Sequence, residues 1–123
     1  MKKKLNYIVV VPSRFASTRL PGKPLIKING LPMIIRTCFQ CFKVVERQKL
    51  YVATDNKKIQ SCCKKYNIQT ILTSKNCKTG TDRVAEVANK INAKTYINVQ
   101  GDEPIFNPAD LKKIIRHSHL YKN

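Results

Sequence analysis

The run Tyr7-Ile8-Val9-Val10-Val11 constrains the fold more than any other stretch of the chain. It is followed at once by Pro12-Ser13-Arg14-Phe15-Ala16-Ser17-Thr18-Arg19-Leu20-Pro21-Gly22-Lys23-Pro24. A short β-branched run bounded by turn residues reads as a buried strand that delivers its loop to the carboxyl edge of a sheet. Arg14, Arg19 and Lys23 are spaced too irregularly for a helix face, but a curved loop can turn all three toward one anion. Ser17, Thr18 and the backbone around Gly22 add neutral donors. A triphosphate suits such a set, since each charge-assisted bond contributes roughly 1.5–3 kcal/mol. A merely solvated basic loop is the plain alternative. The prolines flanking Gly22 argue against it, because they stiffen the backbone where glycine lets it pass close to a ligand. Neither the G-x-x-x-x-G-K-[ST] nor the G-x-G-x-x-G phosphate loop is present.

The remaining chain alternates strand and helix signals. Leu25 to Ile28 reads as a short extended piece ending at the Asn29-Gly30 turn. Pro32 suits the first turn of a helix whose apolar positions are Ile34, Ile35, Cys38, Phe39, Phe42 and Val45. Leu50–Ala53 is a second strand, and Thr54-Asp55-Asn56 caps a helix to about Tyr66. Gln69–Leu72 is a third strand. Thr79 and Asp82 are placed like a capping box for a helix with the stripe Val84, Val87, Ala88 and Ile91. Thr95–Val99 is a fourth strand, and Asn107 caps a last helix with Pro108 at its first position and Leu111, Ile114 and Ile115 facing inward.

This alternation predicts one α/β domain over residues 1–123, a doubly wound, mainly parallel sheet with helices on both faces. Right-handed crossovers then set the first strand beside the fourth, with the switch point between their carboxyl ends. The loops leaving those ends are Pro12–Pro24, which is cationic, and Gln100–Pro104, which carries two carboxylates.

Composition narrows the function classes. The formal charge is +17, but the lysines are spread along the chain and the aromatics sit in apolar runs. A dedicated nucleic-acid binder concentrates its cations and interleaves stacking residues, so no nucleic-acid partner is expected. The five cysteines are an odd number, and the Cys38-x-x-Cys41 pair has no second pair at zinc spacing. Packing accounts for them better than metal. The apolar run after the amino-terminal lysines is too short for a signal peptide, and no stretch approaches membrane-spanning length. The chain therefore reads as cytoplasmic, with reduced thiols and no membrane contact.

A cationic loop facing an aspartate suggests a nucleotide with its metal. Asp102 is a hard oxygen ligand of the kind Mg2+ prefers, with a strand-end turn residue as the plain alternative. Catalysis of nucleotidyl transfer is largely positioning and charge neutralisation. The expected chemistry is attack on an α-phosphate, with pyrophosphate leaving toward Arg14, Arg19 and Lys23. Gln100 sits at a strand end within reach of a base or sugar, while Thr81 and Arg83 open a helix whose amino end favours anions.

Val11-Pro-Ser-Arg-Phe-Ala-Ser-Thr-Arg-Leu-Pro-Gly-Lys-Pro-Leu25, Ala53-Thr-Asp55, Thr79-Gly-Thr-Asp-Arg-Val-Ala-Glu-Val87 and Asn98-Val-Gln-Gly-Asp-Glu-Pro104 resemble the 3-deoxy-manno-octulosonate (Kdo) cytidylyltransferases. The resemblance implies a glycosyltransferase-A-like nucleotidyltransferase fold and the reaction of CTP with Kdo to give CMP-Kdo and pyrophosphate, for lipopolysaccharide biosynthesis. It implies that Arg14, Ser17, Thr18, Arg19 and Lys23 hold CTP, with Arg19 and Lys23 also catalytic. Thr81, Arg83 and Gln100 would surround the cytidine, and Asp102 would bind catalytic Mg2+. Ser13 stands where the family usually has alanine. Members of the family are longer and homodimeric, and their second half supplies much of the sugar pocket and the dimer contacts. The resemblance therefore covers an amino-terminal half, a truncated form of that fold. A sialic-acid or other sugar nucleotidyltransferase is the near rival; an inactive fragment or a basic nucleic-acid-binding module is the rival of another class.

Overall fold

The computed structural model of the chain describes residues 5–16, 21–101 and 107–120. In chain order the elements are β1 (Leu5–Pro12), β2 (Lys27–Ile28), β3 (Leu31–Pro32), α1 (Met33–Cys41), β4 (Leu50–Thr54), α2 (Lys57–Lys65), β5 (Gln69–Leu72), α3 (Gly80–Lys90), β6 (Ala93–Asn98) and α4 (Pro108–Leu120). The main sheet has the order β5-β4-β1-β6, and every pairing within it is parallel. The first strand thus lies beside the last, as the alternation of elements requires.

β1 is central because its residues are apolar on both faces. Ile8, Val9, Val10 and Val11 are all fully buried, and alternate residues serve opposite layers. Tyr7, Val9 and Val11 pack with Ile34, Ile35 and Cys38 of α1, Ile59 and Cys63 of α2, and Leu111 and Ile115 of α4. Ile8 and Val10 pack with Ala53 and with Val87 of α3. Each fully buried valine or isoleucine contributes about 1.5–3 kcal/mol by leaving water, so β1 holds both layers together. The fold is the doubly wound parallel sheet with helices on both faces.

Local chemistry revises several boundaries. Lys23–Leu25 forms a short 3-10 turn with Pro24 near its start, and only Lys27–Ile28 is extended. The fixed φ of Pro24 suits a helical first turn better than a strand interior. Pro32 closes β3 opposite Lys27 and precedes α1, because its ψ of 144° is extended. On α4, Leu111 and Ile115 are buried but Ile114 is 52% exposed. Among the described side chains of that helix, the inward stripe is the i, i+4 pair. Phe39 likewise sits at the margin of the core, where its ring meets Tyr66 edge-on at 6.0 Å.

Cys38, Cys41 and Cys63 are core packing residues, and Cys62 packs at the margin of the same cluster. All five cysteines are free, and Cys38, Cys41 and Cys63 are buried. Burial pushes the Cys41 and Cys63 thiols up to about 12. Burial, reinforced by Cys63 and Cys41, lifts Cys38 well above its ordinary value too. Among the described residues no group of three or more His, Cys, Asp or Glu can hold a metal ion.

Candidate functional site

The loops that leave β1 and β6 are brought together by close backbone approach. A Cβ on Gly101 would stand 3.0 Å from the Pro12 carbonyl oxygen and 3.4 Å from the Ser13 Cβ. A Cβ on Gly80, at the start of α3, would stand 3.1 Å from the Gln100 side-chain nitrogen and 3.3 Å from Pro12. A side chain at either glycine would press its neighbours back by a few tenths of an ångström, so glycine eases the meeting of these three segments. Thr37 of α1 secures the junction from below by donating its hydroxyl to the Gly101 carbonyl at 3.1 Å.

The loop after β1 folds back on itself. The Gly22 amide donates to the Phe15 carbonyl at 2.7 Å, and Gly22 takes a left-handed φ of 75°. Leu25 then donates to Gly22, and Met33 donates to Ile26, each at 2.9 Å, which ties the loop to the start of α1. Lys58 of α2 lies over the Phe15 ring at 5.6 Å.

The third wall is the amino end of α3 with the segment before it. Thr79 accepts from the Asp82 amide at 3.0 Å through its hydroxyl. In return the Lys78 amide donates to the Asp82 carboxylate at 3.2 Å, one residue earlier than in a standard capping box. One turn on, Glu86 accepts from the Ser74 amide at 2.7 Å. Both acidic side chains of α3 are therefore spent on holding the segment from Ser74 to Lys78.

Between these walls lies a cavity of about 260 Å³, at the switch point between β1 and β6. Arg14, Lys23, Lys78 and Arg83 line it together with Ser13, Thr79, Gly80, Gln100 and Gly101, and no carboxylate is among the described lining residues. Four cations gathered in one concave site favour an anion.

Arg83 is the most unusual group. It is 1% exposed, and its Nη1 donates to the Thr73 hydroxyl and to the Ser74 carbonyl. Its Nη2 lies 3.9 Å from an Asp55 carboxylate oxygen, too far for a hydrogen bond. Nε and Nη2 have no hydrogen-bond partner. A guanidinium that is desolvated yet half-satisfied is costly, and such exceptions call for an explanation. Among the described residues, the Ser13 hydroxyl is the other buried side-chain group left without a partner.

Of the residues singled out from sequence, Arg14, Lys23, Arg83 and Gln100 come together around this cavity. Thr81 is exposed on the first turn of α3 and does not line it. Ser17, Thr18, Arg19 and Asp102 lie outside the described residues. Ser13, Lys78 and Thr79 join the lining without having been assigned a ligand role from sequence. Lys78 and Thr79 adjoin the Gly80-Thr81 start of α3, and Ser13 directly follows β1, so proximity to the two recognised loops was the available signal. Thr73 and Asp55 follow β5 and β4; only the strand order shows that they share the same sheet edge.

The cytidylyltransferase family profile matches residues 8–122. The 3-deoxy-manno-octulosonate cytidylyltransferase of Polynucleobacter necessarius subsp. necessarius (strain STIR1) is 45% identical over 120 residues, covering 90% of this chain and 44% of that protein. The enzyme of the same name from Escherichia coli is 38% identical over 109 residues, covering 89% of this chain and 44% of its own length. A solved structure of CMP:2-keto-3-deoxy-manno-octonic acid synthetase complexed with CTP superimposes with a TM-score of 0.89 at 36% identity, covering 94% of this chain and 48% of that one. The chain spans about half the length of these relatives. With a profile that runs from β1 through α4, the chain belongs to the cytidylyltransferase family.

Proposed function

We propose that the chain forms the nucleotide-binding half of a 3-deoxy-manno-octulosonate cytidylyltransferase, which joins CTP and Kdo into CMP-Kdo with release of pyrophosphate, the activation step for lipopolysaccharide assembly. The observation that carries this reading is the switch-point cavity with four cations, no carboxylate among its described lining residues, and a half-satisfied buried guanidinium. Arg14 and Lys23, with Ser17, Thr18 and Arg19 from the same loop, hold the triphosphate. Arg83 and Gln100 take the base end. The Kdo anomeric hydroxyl attacks the α-phosphorus as the bond to the β-phosphate oxygen breaks. Arg19 and Lys23 neutralise the charge that gathers on the departing pyrophosphate, which is where this reaction class gains most of its rate.

The unpartnered Nε and Nη2 of Arg83 form the forked edge of a guanidinium, suited to two adjacent acceptors. Cytosine offers O2 and N3 as such a pair, whereas N3 of uracil carries a hydrogen. Arg83 therefore supplies a physical basis for preferring CTP to UTP.

Asp102 directly follows Gly101, whose backbone lines the cavity. A single carboxylate beside a phosphate cradle suits Mg2+, which takes one or two carboxylates and completes its shell with phosphate oxygens and water. Bound there, the ion would neutralise phosphate charge. A cytoplasmic setting and a homodimer of the longer protein belong to the same proposal; no helix among the described residues is long and apolar enough to cross a membrane.

Calorimetric titration with CTP and UTP, each with and without Mg2+, tests the reading. The expected result is CTP binding strengthened by Mg2+ and at least about tenfold tighter than UTP, the discrimination one bidentate arginine contact provides. Nucleic-acid affinity that falls steeply with salt and is not displaced by CTP would overturn it. A sugar panel with radiolabelled CTP tests the substrate: acceptance of sialic acid with refusal of Kdo sinks the Kdo assignment.

A further inference from the structure

Ser13 is a buried hydroxyl that the reaction as described does not use. It is 4% exposed, and its Oγ has no hydrogen-bond partner. Its backbone is already committed, because the Ser13 amide donates to the Ala53 carbonyl at 2.9 Å. The residue nevertheless lines the switch-point cavity. A hydroxyl taken out of water without a partner destabilises the fold, so its presence on a cavity wall points to a group that arrives with a ligand.

Its place in the wall says which part of the ligand. Among the lining residues Arg14 and Lys23 belong to the loop after β1, and Gly80 and Arg83 to α3; Ser13 directly follows Pro12, the end of β1 that meets Gly80 at the start of α3. A nucleotide with its phosphates against the first set and its base against the second passes its sugar across Ser13. A serine hydroxyl donates and accepts, as does a sugar hydroxyl. Rotation about its single χ1 moves Oγ among the staggered positions without displacing the backbone. We infer that Ser13 forms a hydrogen bond with a ribose hydroxyl of the bound nucleotide and contributes to selection of ribonucleotide over deoxyribonucleotide. The inference rests on the nucleotide placement proposed above.

The test is Ser13→Ala in the whole chain, followed by thermal melting without ligand and by calorimetry with CTP, 2′-deoxy-CTP and 3′-deoxy-CTP. The ligand-free variant should melt no lower than the parent, because an unsatisfied hydroxyl has been removed. CTP affinity should fall about three- to tenfold, the worth of one neutral hydrogen bond. Against one deoxy analogue the substitution should have no effect, because the partner hydroxyl is already missing. Unchanged CTP affinity, or an equal loss against CTP and both analogues, overturns the inference while leaving the nucleotide site intact. A lower melting temperature without ligand also overturns it, since that marks an internal partner for Oγ. Failure of the parent chain to bind CTP overturns the proposed function, and this inference with it.

Discussion

Two regions of this molecule bury chemically capable side chains, and they do so to opposite ends. Between α1 and α2, Cys38, Cys41 and Cys63 lie inside an apolar cluster, where burial drives their thiols upward. At the carboxyl edge of the sheet, Ser13 and Arg83 are as deeply buried but face a cavity, and both keep polar atoms without partners. A buried thiol behaves as a small apolar group and loses little by having no partner. A buried guanidinium or hydroxyl loses a great deal. Burial alone therefore says nothing about function. Unmet hydrogen-bonding capacity beside a cavity does.

The sharpest way to break this contrast is Arg83→Met. Methionine keeps the stem and removes the charge. If Arg83 serves the fold, the substitution will unfold the chain. If it serves a ligand, the chain should stay folded, at a cost in melting temperature because the substitution leaves Asp55 and the Thr73 hydroxyl without their cationic neighbour. CTP affinity should then fall about 100-fold, which corresponds to roughly two charge-assisted hydrogen bonds. Melting and calorimetry on the same sample separate the outcomes. A folded variant with full CTP affinity would remove Arg83 from the site.

Cys38→Ser asks the converse question with a smaller effect. It places a hydroxyl in the apolar layer, so stability should fall by about 1–3 kcal/mol, seen as a lower denaturant midpoint. CTP affinity should not change. A variant with unaltered stability would mean that Cys38 is not packed as described.

How much of this contrast could be read from sequence follows from the range of each interaction. The continuous apolar run of β1 and the strand–helix alternation are local signals, and they give the parallel sheet with β1 beside β6. That order in turn joins Arg14 and Lys23 to Gln100. The spacing of Leu111, Ile114 and Ile115 fits an inward stripe, but α4 buries Leu111 and Ile115 and leaves Ile114 exposed. The pairing of Arg83 with Thr73 and its approach to Asp55 were not legible, because they join the ends of β4 and β5 to α3 across the sheet edge. The unmet valences of Arg83 and Ser13 were even less so. An absent partner leaves no mark in a sequence.

The mildest test of the contrast is alkaline titration of stability. A thiol whose folded-state value stands at about 12 rather than the ordinary 9.0 holds its proton more tightly in the folded chain than in the unfolded one. Its contribution is fully present below the unfolded value and is lost as pH rises through the folded value. Thiol burial should therefore support the fold at neutral pH, and its share should fade progressively from about pH 9 to 12 as the unfolded chain gives up protons that the folded chain retains. The Tm should decline over that window, and Cys41→Ala should flatten the decline at some loss of stability at neutral pH. A thiol reagent applied below that window should reach the partly exposed Cys62 and Cys77 first, with Cys38, Cys41 and Cys63 reacting only as the chain opens. Early reaction of Cys41 or Cys63 would contradict the apolar layer. It would also dissolve the distinction between a group buried to pack and a group buried to bind.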